Sequence, residues 1–130
     1  MQKETIILQA SDFINYSQPI VILPDLPTDE FYDVRKIIWK YRFGTSGFDY
    51  TDKLVFKIDD ERICTLQADS LSSVSSVACV STSNICIDKE CPRVNLTKGV
   101  KLHLLGTPPT QGDGVVVIQI FFTQDNIWFN

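Results

Sequence analysis

The chain of 130 residues contains one histidine and one methionine, and it lacks the patterns of several large protein classes. No apolar run approaches the roughly 20 residues of a membrane-spanning helix, which argues against a membrane protein. The first residues show no secretory signal, so we expect synthesis and folding in a cytoplasm. The net charge of −4 argues against a general nucleic-acid binder, whose affinity comes mostly from neutralising phosphates.

Patterns for catalysis and metal binding are also missing. No Gly-x-Ser-x-Gly turn is present to place a nucleophile. The single histidine, His103, falls beside Lys101 on the polar side of a predicted strand, which favours a surface histidine over a general base. Two groups of acids lack the spaced pattern of a calcium loop: Asp25, Asp29 and Glu30 form one group, and Asp59 and Asp60 the other. We therefore predict a protein that is not an enzyme, with no catalytic residue, cofactor or metal.

The four cysteines, Cys64, Cys79, Cys86 and Cys91, leave three interpretations open. A zinc site that included His103 would have enough ligands, but no paired Cys-x2–4-Cys knuckle is present. Cys86 and Cys91 are close enough along the chain to close a small disulfide loop in an oxidising medium. Buried or loop thiols are the preferred interpretation, and the sequence does not choose among the three.

The clearest pattern present is an alternation of apolar and basic residues over residues 33–59, which predicts a β-hairpin. In the first arm, Ile37, Trp39, Tyr41 and Phe43 face one way. In the second arm, Leu54, Phe56 and Ile58 do the same, and the intervening glycines, Ser46 and Asp49 suit a turn. The opposite side of this predicted hairpin carries a candidate basic patch of Lys36, Lys40, Arg42, Lys53 and Lys57.

That basic patch has two interpretations. The favoured one is the solvent face of an antiparallel hairpin, where lysines also discourage pairing of edges. The alternative is a docking surface for an acidic protein or a polysaccharide. Trp39 and Tyr41 lie on the opposite, core-directed side, which argues against stacking on single-stranded nucleic acid.

Several further short strands are predicted, at residues 5–9, 19–24, 62–67, around 100–104 and 115–123. Proline and glycine separate them, most clearly at residues 107–114. At most one short helix is expected, within residues 69–82. This pattern predicts a single domain over residues 1–130 with an all-β, antiparallel β-sandwich fold. A jelly-roll-like arrangement is the first choice and an immunoglobulin-like one the second.

The segment 115–123, VVVIQIFFT, is apolar on nearly both faces. Such a strand belongs in the middle of a packed sheet or at a contact between subunits. We expect apolar surface to remain after one face has filled the core, as oligomer interfaces require. The candidate interface residues are Val115, Val117, Phe121, Trp128 and Phe129.

Two short patches resemble small structural proteins of tailed bacteriophages. The first is PIVILP at residues 19–24, followed by a strand that ends in YRFG and by the GTSGFDY segment at residues 44–50. The second is Gly112-Asp113-Gly114, which opens the last long strand. The likeness extends over the layout of the whole chain. It departs from the common form after Pro24, where Asp25-Leu26-Pro27 replaces a glycine-containing turn.

The resemblance implies a non-enzymatic virion protein that is assembled in the host cytoplasm. Such a protein decorates the capsid or forms part of a head fibre, collar or tail attachment, and its partners are other virion proteins and further copies of itself, often as a trimer. The alternative is a carbohydrate- or receptor-binding β-sandwich module. That alternative requires Trp39, Tyr41, Tyr50 or Trp128 to be exposed on a concave face.

Overall fold

The computed structural model describes residues 1–82 and 97–126, which form eight strands and two short helices. The strands are β1 (Gln2–Leu8), β2 (Ile20–Leu23), β3 (Glu30–Arg42), β4 (Leu54–Ile58), β5 (Glu61–Leu66), β6 (Val77–Thr82), β7 (Val100–Leu104) and β8 (Val115–Asn126). The helices are α1 (Ala10–Ile14) and α2 (Asp69–Ser72). The strands alternate between inward apolar and outward polar positions, as expected for sheets with one solvated face.

The strands form two antiparallel sheets of four. Sheet A has the order β1-β8-β3-β6 and sheet B the order β2-β7-β4-β5. Four pairs therefore nest within one another along the chain, β1 with β8, β2 with β7, β3 with β6, and β4 with β5. This is the winding of an eight-stranded jelly roll, in which one long antiparallel ribbon wraps around a core. The all-β sandwich prediction is confirmed, and the strand order selects the jelly roll over the immunoglobulin-like alternative.

The long strand β3 contains one β-bulge. Even-numbered residues face the core before the bulge, and odd-numbered residues face it afterwards. Its register with β8 shifts between Val34 and Lys36, so that Arg35 is the extra residue. Before the bulge the even-numbered Tyr32 and Val34 are buried, and after it the odd-numbered Trp39 is buried. Side chains along a strand alternate between its two faces, and the extra residue shifts this alternation by one position. The apolar residues before and after the bulge therefore face the same core.

The predicted hairpin between the two arms of residues 33–59 is wrong. Strand β3 pairs with β6 and β8 in sheet A, whereas β4 pairs with β5 and β7 in sheet B. The alternation within each arm was assigned correctly, but alternation does not identify the neighbour of a strand. Residues 43–53 cross from one sheet to the other, and they are too many for a tight hairpin turn.

The true hairpin of this region lies between β4 and β5. Ile58 pairs with Glu61, so only Asp59 and Asp60 form the turn. Asp59 has a φ of 54°, the left-handed conformation that aspartate tolerates better than most residues. In the sequence, the signal for this turn is a pair of acids between two runs in which apolar and polar residues alternate.

The core fills the space between the sheets as one cluster of buried side chains. Trp39 lies near its centre and is 1% exposed. Its indole Nε1–H donates a buried hydrogen bond of 2.8 Å to the Ser70 carbonyl, which ties α2 to β3. The ring of Phe13 from α1 meets those of Trp39 and Phe48 edge to face, with centroids 6.4 and 5.4 Å apart. Such pairs add roughly 0.5–1.5 kcal/mol beyond burial.

Two helices are present where at most one was expected. Helix α2 lies in the predicted segment but covers only its first residues, because β6 takes the rest. Helix α1 occupies a polar stretch whose start is held by Asp12, whose carboxylate accepts the Gln9 N–H at 2.7 Å. Within the described residues, neither helix has the length and apolar character needed to cross a bilayer.

Candidate functional site

The outer face of sheet A, which points away from the core, carries an apolar strip in its centre. Strand β8 contributes Val115, Val117 and Phe121, which are all half-buried. Ile7 of β1 pairs with Val117 and is 58% exposed. On the other side, Val80 of β6 pairs with Ile38 and is 66% exposed. Aliphatic side chains thus extend across all four strands of the sheet.

Cations surround this strip. Lys36, Lys40 and Arg42 alternate along the outer face of β3, and Lys3 lies beyond β8 on β1. The Lys36 ammonium lies 4.8 Å from the centroid of the Phe121 ring, at cation–π distance. A groove of about 290 Å³ lies beside the strip and is lined by Ile7, Val117 and Arg42 and, at its loop end, by Asp113. The outer face of sheet A is therefore both apolar and basic, in a chain whose net charge is −4.

One end of the sandwich is acidic. The four loops that follow β1, β3, β5 and β7 meet there, because consecutive strands run in opposite directions. These loops carry five acids and a single cation, Lys53. The acids, which we call the acidic loop end, are all exposed: Asp12, Asp49, Asp52, Asp69 and Asp113. The outer face of sheet A and this loop end thus have opposite charge.

Two of those acids connect loops. Asp113 accepts hydrogen bonds from the Thr45 and Ser46 N–H groups at 2.8 and 2.9 Å. Asp49 accepts hydrogen bonds from the Thr110 and Gln111 N–H groups at 2.7 and 3.0 Å. The hydroxyl of the threonine in each pair donates to the same carboxylate. These donors favour the ionised form and lower the pKa of both carboxyl groups, with the threonine hydroxyl as the largest contribution.

A charged cleft of about 300 Å³ opens on the outer face of sheet B. Lys57 of β4 and Lys101 of β7 are direct cross-strand partners on this face, and Arg62 of β5 is the next partner of Lys57. We call these three residues the cation row. The cleft is lined by Lys57, Lys101, His103, Lys98, Gly99 and the carboxylates of Asp25, Asp59 and Asp60.

His103 is half-buried in this cleft rather than fully on the surface. Burial is the main cause that lowers its pKa below 6.5, and Lys57 and Lys101 lower it further, while Asp60 acts in the opposite direction. On the neighbouring wall, Asp25 accepts the Gly99 N–H at 2.8 Å and pairs with Lys98 at 3.4 Å. The imidazole therefore lies in a positive local field.

The five residues of the predicted basic patch do not form one surface. Lys36, Lys40 and Arg42 lie on the outer face of sheet A, but Lys57 lies on the outer face of sheet B, and Lys53 lies in the loop before β4. The patch was predicted from a hairpin that does not form. Each sheet instead has its own group of cations.

The predicted interface residues are only partly described. Val115, Val117 and Phe121 share the outer face of sheet A, whereas Trp128 and Phe129 lie outside the described residues. Three of the aromatic residues that a sugar-binding face would need are buried in the core: Trp39, Tyr41 and Tyr50 are at most 2% exposed. Trp128, the fourth, lies outside the described residues.

The described cysteines do not meet His103. Cys64 is buried on the inner face of β5, opposite Phe56, and Cys79 is half-buried beside Trp39 in sheet A. His103 faces outward from sheet B, so these three side chains are not brought to one metal ion. Cys86 and Cys91, with the small disulfide loop suggested for them, lie outside the described residues.

Several residues with specific contacts were missed in the sequence. Asp113 was noted only as part of a glycine turn and Asp49 only as turn chemistry, yet each carboxylate joins two loops that are distant in sequence. Arg62 was assigned to a short strand without comment, although it extends the cation row. The local signal for both carboxylates was an acid within a turn segment that contains glycine and threonine, but their hydrogen-bond partners lie more than 60 residues away in the sequence.

No family model and no curated protein matches the chain.

Proposed function

We propose that the protein is a non-enzymatic structural subunit of a tailed-bacteriophage particle that assembles with further copies of itself and docks on other virion proteins. The observation that carries this proposal is the apolar strip on the outer face of sheet A. It includes Ile7 and Val117, which are cross-strand partners on β1 and β8, and Ile38 and Val80, which are partners on β3 and β6, rather than scattered single residues. Contiguous exposed apolar surface of this kind is typical of contacts between proteins.

The occupant that we propose for this face is a second copy of the chain. The face combines apolar side chains with Lys3, Lys36, Lys40 and Arg42, and the acidic loop end offers the opposite charge on the same molecule. One copy can therefore present its basic face to the acidic loop end of the next. Such a contact joins two different surfaces and closes into a ring when the rotation between copies permits. A trimer is the smallest ring of this kind.

The assignment to a virus particle rests on the resemblance described for residues 19–24 and 44–50. A jelly roll suits this role because it is a stable scaffold with two large outer faces. Docking on other virion proteins would use surface that remains after the copies associate. Detection of tryptic peptides from this chain in purified particles of the phage that encodes it tests this part, and their absence from intact particles would refute it.

Self-association is tested by the solution mass, measured by light scattering coupled to size exclusion in reducing buffer. We expect a trimer or larger ring at low salt and a shift toward monomer at high salt, because screening weakens exposed charge pairs. Val117→Glu should yield monomers, since it places a carboxylate in the strip against the acidic loop end. Val21→Glu is the matched control, because Val21 is 56% exposed on sheet B. A wild-type chain that stays monomeric at all concentrations would refute the proposal.

A further inference from the structure

The cation row is an unfavourable arrangement for a folded sheet by itself. Lys101, Lys57 and Arg62 occupy directly paired positions on three adjacent strands. Neighbouring strands lie roughly 4.8 Å apart, so the Cα atoms of these three cationic residues fall within about 10 Å along one line. Like charges directly opposite each other destabilise a sheet. The ion pairs Asp33–Arg35 and Asp25–Lys98 do not include a member of the row.

The cleft beside the row has the size and the polar lining of a small-ligand site. Its volume of about 300 Å³ lies at the lower end of the usual range for such pockets. Lys57 and Lys101 approach it from two strands, and His103 lies one step further along β7. Asp25 on the facing wall is held by Gly99 and Lys98, so that its charge is already compensated.

We propose that this cleft binds the oxyanion of a small ligand, a phosphate or sulfate group, through Lys57 and Lys101 with His103 beside them. The anion would neutralise the repulsion between the two ammonium groups, since each would donate a charge-assisted hydrogen bond to an anion oxygen. Arg62 lies at the outer end of the row and adds to the attraction. Asp60 on the rim can accept hydrogen bonds from hydroxyl groups, which suits a phosphorylated or sulfated sugar. This inference is independent of the proposed assembly.

His103 provides a direct reporter of occupancy. The charged and titratable groups that act on it are Lys57 from β4, Lys101 from β7 and Asp60 from the β4–β5 turn. An anion beside the ring favours its protonated form, so binding should raise the pKa of His103. By linkage, the same anion should bind more tightly as the pH falls through that pKa.

The experiment is a titration with inorganic phosphate, followed through the imidazole C–H resonances of His103, which is the only histidine. We expect saturable shifts and a raised pKa of His103. In the double variant Lys57→Gln and Lys101→Gln the dissociation constant should rise about tenfold or more, because each lost charge-assisted bond has that order of effect. The matched control is Lys36→Gln with Lys40→Gln on sheet A, which should bind phosphate like the wild type.

A second readout separates loss of binding from loss of folding. Removal of the like charges relieves their repulsion, so the Lys57→Gln, Lys101→Gln variant should unfold at the same or higher urea concentration than the wild type while it fails to bind. Titrations with glucose 6-phosphate and with glucose identify the source of the anion. Tighter binding of glucose 6-phosphate than of phosphate assigns a phosphorylated sugar, and equal binding assigns the free anion. Absence of saturable shifts, or equal shifts in the double variant or with glucose, would overturn the proposal.

Discussion

Asp49 and Asp113 each accept hydrogen bonds from the loop that contains the other residue. The carboxylate of Asp49, in the loop between β3 and β4, binds the loop between β7 and β8, while that of Asp113, in the second loop, binds the first. Each of these loops connects a strand of sheet A with a strand of sheet B. The hydrogen bonds between the two loops therefore fasten sheet A to sheet B at the acidic loop end. We refer to the pair as the loop latch.

The loop latch should make the protein sensitive to acid. Because the pKa of each carboxyl group is lowered from 3.8, its stabilising contribution is fully present above that value and disappears as the pH falls through the folded-state pKa. Asp113→Asn should lower the urea midpoint at pH 7 and flatten its dependence on pH below 4. Glu4→Gln, an exposed acid on edge strand β1, is the control. Unfolding curves recorded from pH 7 to pH 2 check this, and parallel wild-type and Asp113→Asn curves would contradict it.

The two latch residues should also act as a unit. If both carboxylates fasten the same pair of loops, loss of one already frees the loops that the other would hold. The double variant Asp49→Asn with Asp113→Asn should therefore be less destabilised than the sum of the two single variants. A double-mutant cycle in urea measures this coupling. Additive effects would mean that the two carboxylates act independently.

Two buried tyrosines should respond oppositely to loss of the hydroxyl. The Tyr50 hydroxyl lies 2.6 and 2.7 Å from the carbonyls of Lys53 and Leu105, and it donates to them. The buried Tyr41 hydroxyl has no hydrogen-bond partner among the described residues. Tyr50→Phe should cost about 1–2 kcal/mol, while Tyr41→Phe should be neutral or stabilising. Urea denaturation of the two matched variants decides this, and equal losses would count against these contacts.

Tyr50 should also ionise late. Burial is the main cause that raises its pKa from 10 to about 12, with Asp52 as a second cause. A raised acid pKa means that the associated stability is complete below pH 10 and is lost as the pH rises toward 12. Titration by phenolate absorbance should show that Tyr50→Phe lacks this late ionisation. Tyr41→Phe provides the comparison, because it keeps the Tyr50 hydroxyl and the groups that shift its pKa.

Gly99 should not tolerate a side chain. A Cβ at this position would lie 1.9 Å from the Leu23 carbonyl oxygen, at the join between β2 and β7. Backbone must therefore move, and Gly99→Ala should destabilise the fold by about 2–4 kcal/mol. Gly47→Ala is the control, because its Cβ would come no closer than 3.4 Å to the Ser72 carbonyl oxygen. Thermal unfolding of both variants tests the contrast, which similar melting temperatures would refute.

Individual strands were predicted well from the sequence because apolar inward-facing and polar outward-facing residues alternate along a strand, which is a local pattern. The burial of Trp39, Tyr41 and Phe56 follows from that period. The central position of β8 between β1 and β3 is one of the two placements expected for a segment that is apolar on nearly both faces. Strand pairing is different, since it depends on residues far apart in the chain. Residues 33–59 look like a hairpin locally, but β3 pairs with β6 and β8, and β4 pairs with β5 and β7.

The candidate sites were less predictable for the same reason. Three of the five predicted interface residues, Val115, Val117 and Phe121, lie on one face because they belong to a single strand. The cation row could not be found this way, since Lys101 is 44 positions from Lys57 along the chain and only the register of sheet B joins them. The loop latch likewise appears only once two distant turns meet.

The bulge at Arg35 has a further consequence for how sequence change can affect this fold. Without Arg35, Val34 and Ile37 would be two positions apart, so Tyr32, Val34, Ile37 and Trp39 would face the core by plain alternation and the register with β8 would continue without a break. The inward face would therefore survive the deletion, and what β3 would lose is the local bend and the added right-handed twist that the bulge gives it.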